Sequence, residues 1–182
     1  MPKPWNDWYH CNGNTHGTWL LGDKRGSRTR HHRQHLEGDY KNPPPPERDQ
    51  WLRKRSIKLM KKPPTHLTAE QAKMAGAAMV RRLIDAEIEL LSYSLDDHHF
   101  HLVARFPEHN PRYYIGLAKQ RAAYLLVNHF ELIAPVWAKR CQCKPIVDRK
   151  HQIRSVNYDI GHEERGAFYV WCLRDPIPEK IE

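Results

Sequence analysis

Apolar residues recur at two different periods along the second half of the chain, and the switch between periods maps its elements. Met74, Ala77, Ala78 and Ile84 repeat at helical spacing. Thr68 offers an N-cap hydroxyl, and Gln71 three residues later completes a capping box, so a helix is expected over 68–85. Residues 88–95 and 98–106 then read as two strands, with Asp96 and Asp97 at the turn. In the second strand, alternation puts Phe100, Leu102, Ala104 and Phe106 on a core face. It puts His99, His101, Val103 and Arg105 on the other face. Pro111 suits a first helical turn, and Leu117, Tyr124, Leu125 and Val127 supply apolar contacts for a helix over 111–130. Residues 137–150 read as a basic connection and 151–164 as a third helix that Gly166 ends. Residues 167–173 read as a last short strand. Near the N-terminus, 8–11 reads as a first strand with a polar pattern, and no internal repeat is visible.

Between that strand and the first helix lies a long basic, Pro-rich arm over 24–64. Lys24, Arg25, Arg28, Arg30 and Arg33 open it, Pro43 to Pro46 break any helix, and Arg53, Lys54, Arg55, Lys58, Lys61 and Lys62 follow on an expected short helix. Such a segment is too long for a plain connection, which favours nucleic-acid binding by part of it over a solvated insertion. The 182 residues suit one domain spanning 1–182, with 24–64 as its insertion.

Charge sharpens this picture modestly. Thirty Lys and Arg against 21 Asp and Glu give a net charge of +9, which attracts phosphate backbones. Solubility, an acidic partner or an anionic membrane would use the same charge. The four cysteines, at 11, 141, 143 and 172, lack the paired spacing of a zinc ribbon. No apolar run reaches membrane-span length and no apolar signal segment opens the chain. A reduced, cytoplasmic protein with no membrane partner is the expectation.

Thirteen histidines are uninformative until their spacing is read. His99 and His101 flank one apolar residue, so a strand points both imidazoles the same way. Two convergent imidazoles hold a divalent cation if a third ligand joins them; two surface histidines on an open sheet face are the plain alternative. Tyr158 and His162 lie four apart, which puts them on one helix face. A phenol beside a metal ligand is suited to attack phosphorus, the metal polarising the phosphate and stabilising its charge. Free tyrosine titrates near pH ~10, so the hydroxyl needs activation. Tyr158 also reads as a packing tyrosine, and Tyr124 with Asn128 has the same spacing, so spacing alone leaves the nucleophile open.

The segment Leu95-Asp96-Asp97-His98-His99-Phe100-His101-Leu102-Val103 resembles the histidine motif of single-tyrosine HUH transposases, the insertion-sequence-200-like group that includes REP-associated tyrosine transposases. Gly17-Thr18-Trp19-Leu20-Leu21-Gly22-Asp23 with Arg25-Gly26 is similar to the start of one branch. Trp137-Ala138-Lys139-Arg140 ahead of Lys144-Pro145-Ile146 is similar too. Tyr158-Asp159-Ile160-Gly161-His162, then Glu164-Arg165-Gly166-Ala167, resembles the catalytic helix and its exit.

The resemblance implies an α+β fold: an antiparallel sheet with helices packed on one face, ferredoxin-like or RRM-like, and a catalytic helix crossing the open face. It selects Tyr158 over Tyr124 as nucleophile, with His99, His101 and His162 as ligands for Mg²⁺ or Mn²⁺; ligand chemistry alone would rank Zn²⁺ first. It implies a transposase that nicks and rejoins single-stranded DNA at hairpin-bearing element or repeat ends, through a 5′-phosphotyrosine link. A homodimer fits because two strands are exchanged. The competing readings are a domesticated, non-cutting protein that recognises hairpin DNA or RNA, and a zinc phosphodiesterase with water as nucleophile. Arg105, Lys139, Arg140, Lys144 and Arg154 are the candidate DNA contacts, and each also reads as a solvated charge. Four positions depart from the family pattern. His162 stands where many members have Gln or Asn, Asp159 where an apolar residue is common, and His16 where an aromatic one is usual. Gly161 would weaken a helix by ~1 kcal/mol.

Overall fold

The computed structural model describes residues 4–23, 50–107 and 110–181, and the backbone alone at 27–28 and 35–36. Most of the arm read from the sequence, including Pro43 to Pro46 and the cations from Arg30 to Arg33, lies outside the described residues. The chain divides into two compact units: residues 1–15 with 66–182, and residues 16–65.

In the smaller unit, Ser27–Arg28 (β2) and His35–Leu36 (β3) form a short antiparallel ladder. Gln50–Lys58 (α1) is the short basic helix expected there, and Ser56 Oγ ties it to the Leu21 carbonyl at 3.1 Å.

The larger unit contains β1 (Trp8–Thr15), α2 (Ala69–Ile84), β4 (Glu89–Leu95), β5 (His99–Arg105), α3 (Pro111–Phe130), β6 (Trp137–Pro145), α4 (Arg149–Ile160) and β7 (Tyr169–Cys172). Its sheet has the order β6-β1-β5-β4-β7, every neighbouring pair antiparallel. Each helical crossover, β1-α2-β4 and β5-α3-β6, skips over one strand, which is the ferredoxin-like plan. α2 and α3 cover one face. Their Ala72, Ala75, Met79, Leu83, Ile115, Ala122 and Leu125 join Tyr9, Cys11, Tyr93, Leu95, Phe100, Leu102 and Ala104 in the main core. α4 crosses the opposite face, over a smaller cluster of Trp8, Val103 and Ile146 packed with Val156. No helix among the described residues is long and apolar enough to cross a membrane.

The expected caps form. Thr68 accepts from the Gln71 amide at 3.3 Å and the Gln71 side chain accepts from the Thr68 amide at 3.0 Å. Pro111 occupies the first turn of α3. Three elements differ from the reading of the sequence. β1 runs four residues further, because Asn12, Gly13 and Asn14 pair with His101, Phe100 and His99 of β5. Gly13 is needed there, since a Cβ would stand 2.7 Å from the Phe100 ring. The 137–150 connection holds a nine-residue edge strand, β6, whose charges face solvent while Cys141 and Cys143 turn inward. The third helix starts at Arg149, where Asp148 caps the His151 amide at 2.6 Å, and ends at Ile160 rather than near Glu164. Past Gly161 the amides of His162 and Glu163 bond three residues back, to Asp159 and Ile160.

Candidate active site

The central strand β5 delivers two imidazoles to the face beneath α4. His101 is buried and His99 half-buried, and their ring centroids are 5.0 Å apart. The register fixes what surrounds them: Asn14 opposite His99, and Asn12 and Ser94 flanking His101.

His162 reaches the pair from just beyond α4. In a continuing helix its amide would bond the Tyr158 carbonyl; here that carbonyl lies 2.9 Å from His162 Nδ1 and accepts from Arg165 at 2.7 Å. The expected shared helix face is thus replaced by a turn, yet the neighbourhood of Tyr158 and His162 survives, their rings 4.7 Å apart. The Arg165 guanidinium, which can only donate, also lies 2.9 Å from Nδ1, so Nδ1 is engaged by Arg165 and the Tyr158 carbonyl and Nε2 is the ring nitrogen left for a ligand. The His162 ring lies 4.6 Å from that of His101 and 5.7 Å from that of His99. Each of the three offers a ligand nitrogen, all within 4.8 Å of one another.

Asp96 organises the near end. One carboxylate oxygen accepts the His98 and His99 amides at 2.8 and 2.6 Å, and the other lies 2.5 Å from His99 Nδ1. A carboxylate on Nδ1 fixes the tautomer that frees Nε2 for a ligand. Burial alone would raise Asp96, but the His99 side chain and the two amides outweigh it and hold the carboxyl near about 2. Burial and then the neighbouring His99, His162 and His10 push His101 down to about 2. Burial also lowers His162. These two imidazoles are therefore neutral at working pH, as metal ligation requires. His101 Nδ1 and Ser94 Oγ are buried without a hydrogen-bond partner among the described residues. Three convergent imidazoles, two of them held neutral, beside orphaned polar atoms fit a divalent cation.

Tyr158 stands at the edge of this cluster, 40% exposed, its ring 5.3 Å from that of His101 and nearly perpendicular to it. The Arg165 guanidinium lies over the phenol ring at 4.8 Å. Tyr113, Tyr114 and Tyr124 lie on α3, across the sheet from the histidines.

One element of the site is invisible in the spacing of motifs. Asp159, fully buried, accepts from Ser92 Oγ at 2.8 Å and meets His10 Nε2 at 3.0 Å. His10 in turn stacks on His101 at 5.6 Å and meets the Tyr158 ring at 6.0 Å. The buried face of α4 is Gln152, Ser155 and Asp159, so Asp159 is a docking residue that seats Tyr158 beside it. Only the pairing of β1 with β5 brings His10 into range, and a single-strand reading lacks that register.

The candidate DNA contacts divide by position. Lys144 faces His10 across β1 and β6, and Lys139 and Arg140 are exposed further along the same edge strand. Arg154 is exposed on α4, one turn before Tyr158. Arg105 ends β5, four residues from His101, and is engaged with the Asn6 carbonyl at 3.1 Å and Glu89 at 3.3 Å.

Among known proteins, no family model matches the chain. No curated protein matches it either. Among solved structures it is similar to a REP-associated tyrosine transposase bound to a REP hairpin, at 11% sequence identity and a TM-score of 0.46, covering 91% of this chain and 72% of that one.

Proposed function

We propose that this chain is a metal-dependent transposase of the single-tyrosine HUH type, which cuts and rejoins single-stranded DNA through Tyr158. The observation that carries the reading is the meeting of the Tyr158 phenol with the imidazoles of His101 and His162, at 5.3 and 4.7 Å between ring centres. His99, His101 and His162 would hold Mg²⁺ or Mn²⁺, which when bound polarises the scissile phosphate and stabilises its charge.

The chain's own residues account for the rest. The phenol oxygen of Tyr158 bonds to phosphorus as the bond from phosphorus to the 3′-oxygen breaks. The phenol gives up its proton, and the departing strand leaves as a 3′-hydroxyl. The 5′ end remains as a phosphotyrosine, so the phosphodiester energy is conserved and rejoining needs no ATP. Arg165 keeps positive charge over the ring from which the proton leaves. Asp159, locked to Ser92 and His10, fixes the pitch of α4 and hence the aim of Tyr158.

Lys139, Arg140 and Lys144 line the sheet edge and Arg154 the exposed side of α4, positions from which cations hold a DNA backbone. Arg105, already engaged with Glu89, contributes to the field rather than to a contact. Hairpin-bearing ends as substrate, a homodimer, a cytoplasmic setting and 24–64 as a DNA-binding insertion within one domain belong to the same reading.

The test is a denaturing gel of full-length protein with 5′- and 3′-labelled single-stranded oligonucleotides and Mn²⁺. The wild type should form a slow-migrating covalent adduct that carries the 3′ label, with the 5′ label released on a shorter fragment ending in a 3′-hydroxyl, and Tyr158→Phe neither. Specific hairpin binding with no adduct would instead mark a non-cutting DNA or RNA binder. Cleavage that survives Tyr158→Phe would mark a phosphodiesterase with water as nucleophile.

A further inference from the structure

A second group of metal-ligating side chains sits beside the first without sharing a residue with it. The turn between β4 and β5 carries Asp97 and His98, and the approach to α2 carries His66. Asp97 bridges the two imidazoles: one oxygen lies 2.5 Å from His98 Nδ1 and the other 2.7 Å from His66 Nδ1. His66, Asp97 and His98 each offer a donor atom, all within 4.8 Å of one another.

The backbone beneath them is pinned. The Leu67 amide donates to the Asp97 carbonyl at 2.7 Å, and the Thr15 amide to the His98 carbonyl at 2.8 Å. The His98 amide donates to Asp96 at 2.8 Å. Three distant segments are thus held together before any ligand arrives, so little ordering is left for one to impose. The side chains stay accessible: His66 is 59% exposed, Asp97 39% and His98 26%.

We propose that His66, Asp97 and His98 form a second divalent-metal site, of two imidazoles and one carboxylate, that takes a borderline ion such as Zn²⁺ or Co²⁺ in preference to Mg²⁺. Nitrogen donors favour that class, whereas Mg²⁺ prefers oxygen. Donors around a tetrahedral Zn²⁺ lie about 3.3 Å apart, so the carboxylate need retreat from each nitrogen by less than ~1 Å. An ion there would tie His66, two residues ahead of the Thr68 cap, to the residue next to His99, bracing the start of β5 from outside. The His98 and His99 rings are 4.7 Å apart, so the two sites are neighbours and need separate variants to tell them apart.

The experiment is a Co²⁺ titration of metal-free, full-length protein, followed by calorimetry and by the visible absorption of bound Co²⁺. Wild type should take up two equivalents. His66→Ala, a change at an exposed side chain, should weaken one of them at least tenfold while leaving the other. His66→Gln should do the same, and His101→Ala should keep the His66-dependent equivalent. The proposal is overturned if both His66 variants titrate like the wild type. It is equally overturned if wild type binds a single equivalent that only His101→Ala removes. Failure of the His99, His101 and His162 site would appear differently, as a His101→Ala variant indistinguishable from wild type.

Discussion

Asp159, one residue after Tyr158, has its carboxylate 3.0 Å from His10 Nε2 and is fully shielded from solvent. The helix that presents the phenol is therefore docked on the sheet through a buried polar contact as well as through apolar packing. Val156 is the apolar residue of α4 packed against the smaller core cluster. Asp159→Ala leaves Ser92 Oγ and His10 Nε2 without their acceptor, and a buried network broken on one side costs about 2–4 kcal/mol. Urea unfolding of metal-free protein should show that loss, and Ser92→Ala should lose less. Equal midpoints for wild type and Asp159→Ala would contradict the docking role.

Acid should destabilise the metal-free protein from well above the carboxylate range. His101 titrates near 6.5 when unfolded and near about 2 when folded, so between those values only the unfolded chain binds its proton. Stability thus falls as pH drops below 6.5, by about 1.4 kcal/mol per pH unit once the unfolded imidazole is fully charged. His162, also lowered, adds in the same direction. Asp96, held down from 3.8 to about 2, adds a further loss only below pH 4. Unfolding midpoints from pH 8 to pH 4.5 in EDTA check this. His101→Gln should flatten the slope, and an unchanged slope would contradict the assignment.

Divalent cations should stabilise the fold through His99, His101 and His162. Thermal unfolding with excess Mn²⁺ should shift upward, because an ion bound only by the folded state stabilises by mass action. Loss of one imidazole should weaken the ion ~10–100-fold, by analogy with losses at ligand shells. His162→Ala tests the ligand supplied by the turn. An undiminished shift in that variant would remove His162 from the ligand set.

Much of this architecture is legible in the chain because local rules and tertiary packing agree. Thr68 with Gln71, Pro111, and the alternation of Phe100, Leu102 and Ala104 against His99 and His101 each predict what forms. β6 is hidden because an edge strand tolerates Lys139, Arg140 and Lys144, whose charges mask the alternation of Cys141 and Cys143. The early end of α4 is hidden because it depends on His162 and Arg165 claiming the Tyr158 carbonyl, a side-chain competition that periodicity does not register. Asp159 looks like an oddity after the tyrosine until the register of β1 supplies His10. Asp96 looks like a turn residue until its second oxygen is found on His99.

Gly76 offers a check on the packing beneath the site. A Cβ there would stand 2.3 Å from the Tyr169 ring, which lies edge-on to Tyr93 in the core. Helix propensity favours Gly76→Ala by ~1 kcal/mol, but overpacking costs about 1–3 kcal/mol and the ring lacks a flexible end to yield. The variant should be less stable than wild type in urea unfolding. A gain in stability would show that β7 shifts freely.

The most direct test of the central claim is the identity of the residue that carries the DNA. Wild-type protein, incubated with a single-stranded hairpin oligonucleotide and Mn²⁺, is digested with nuclease and protease, and the nucleotide-bearing peptide is sequenced by mass spectrometry. The peptide that contains Tyr158 should carry a 5′-linked phosphonucleotide on the phenol. An adduct on Tyr113, Tyr114 or Tyr124 instead, on the far side of the sheet from the imidazoles, would contradict the account.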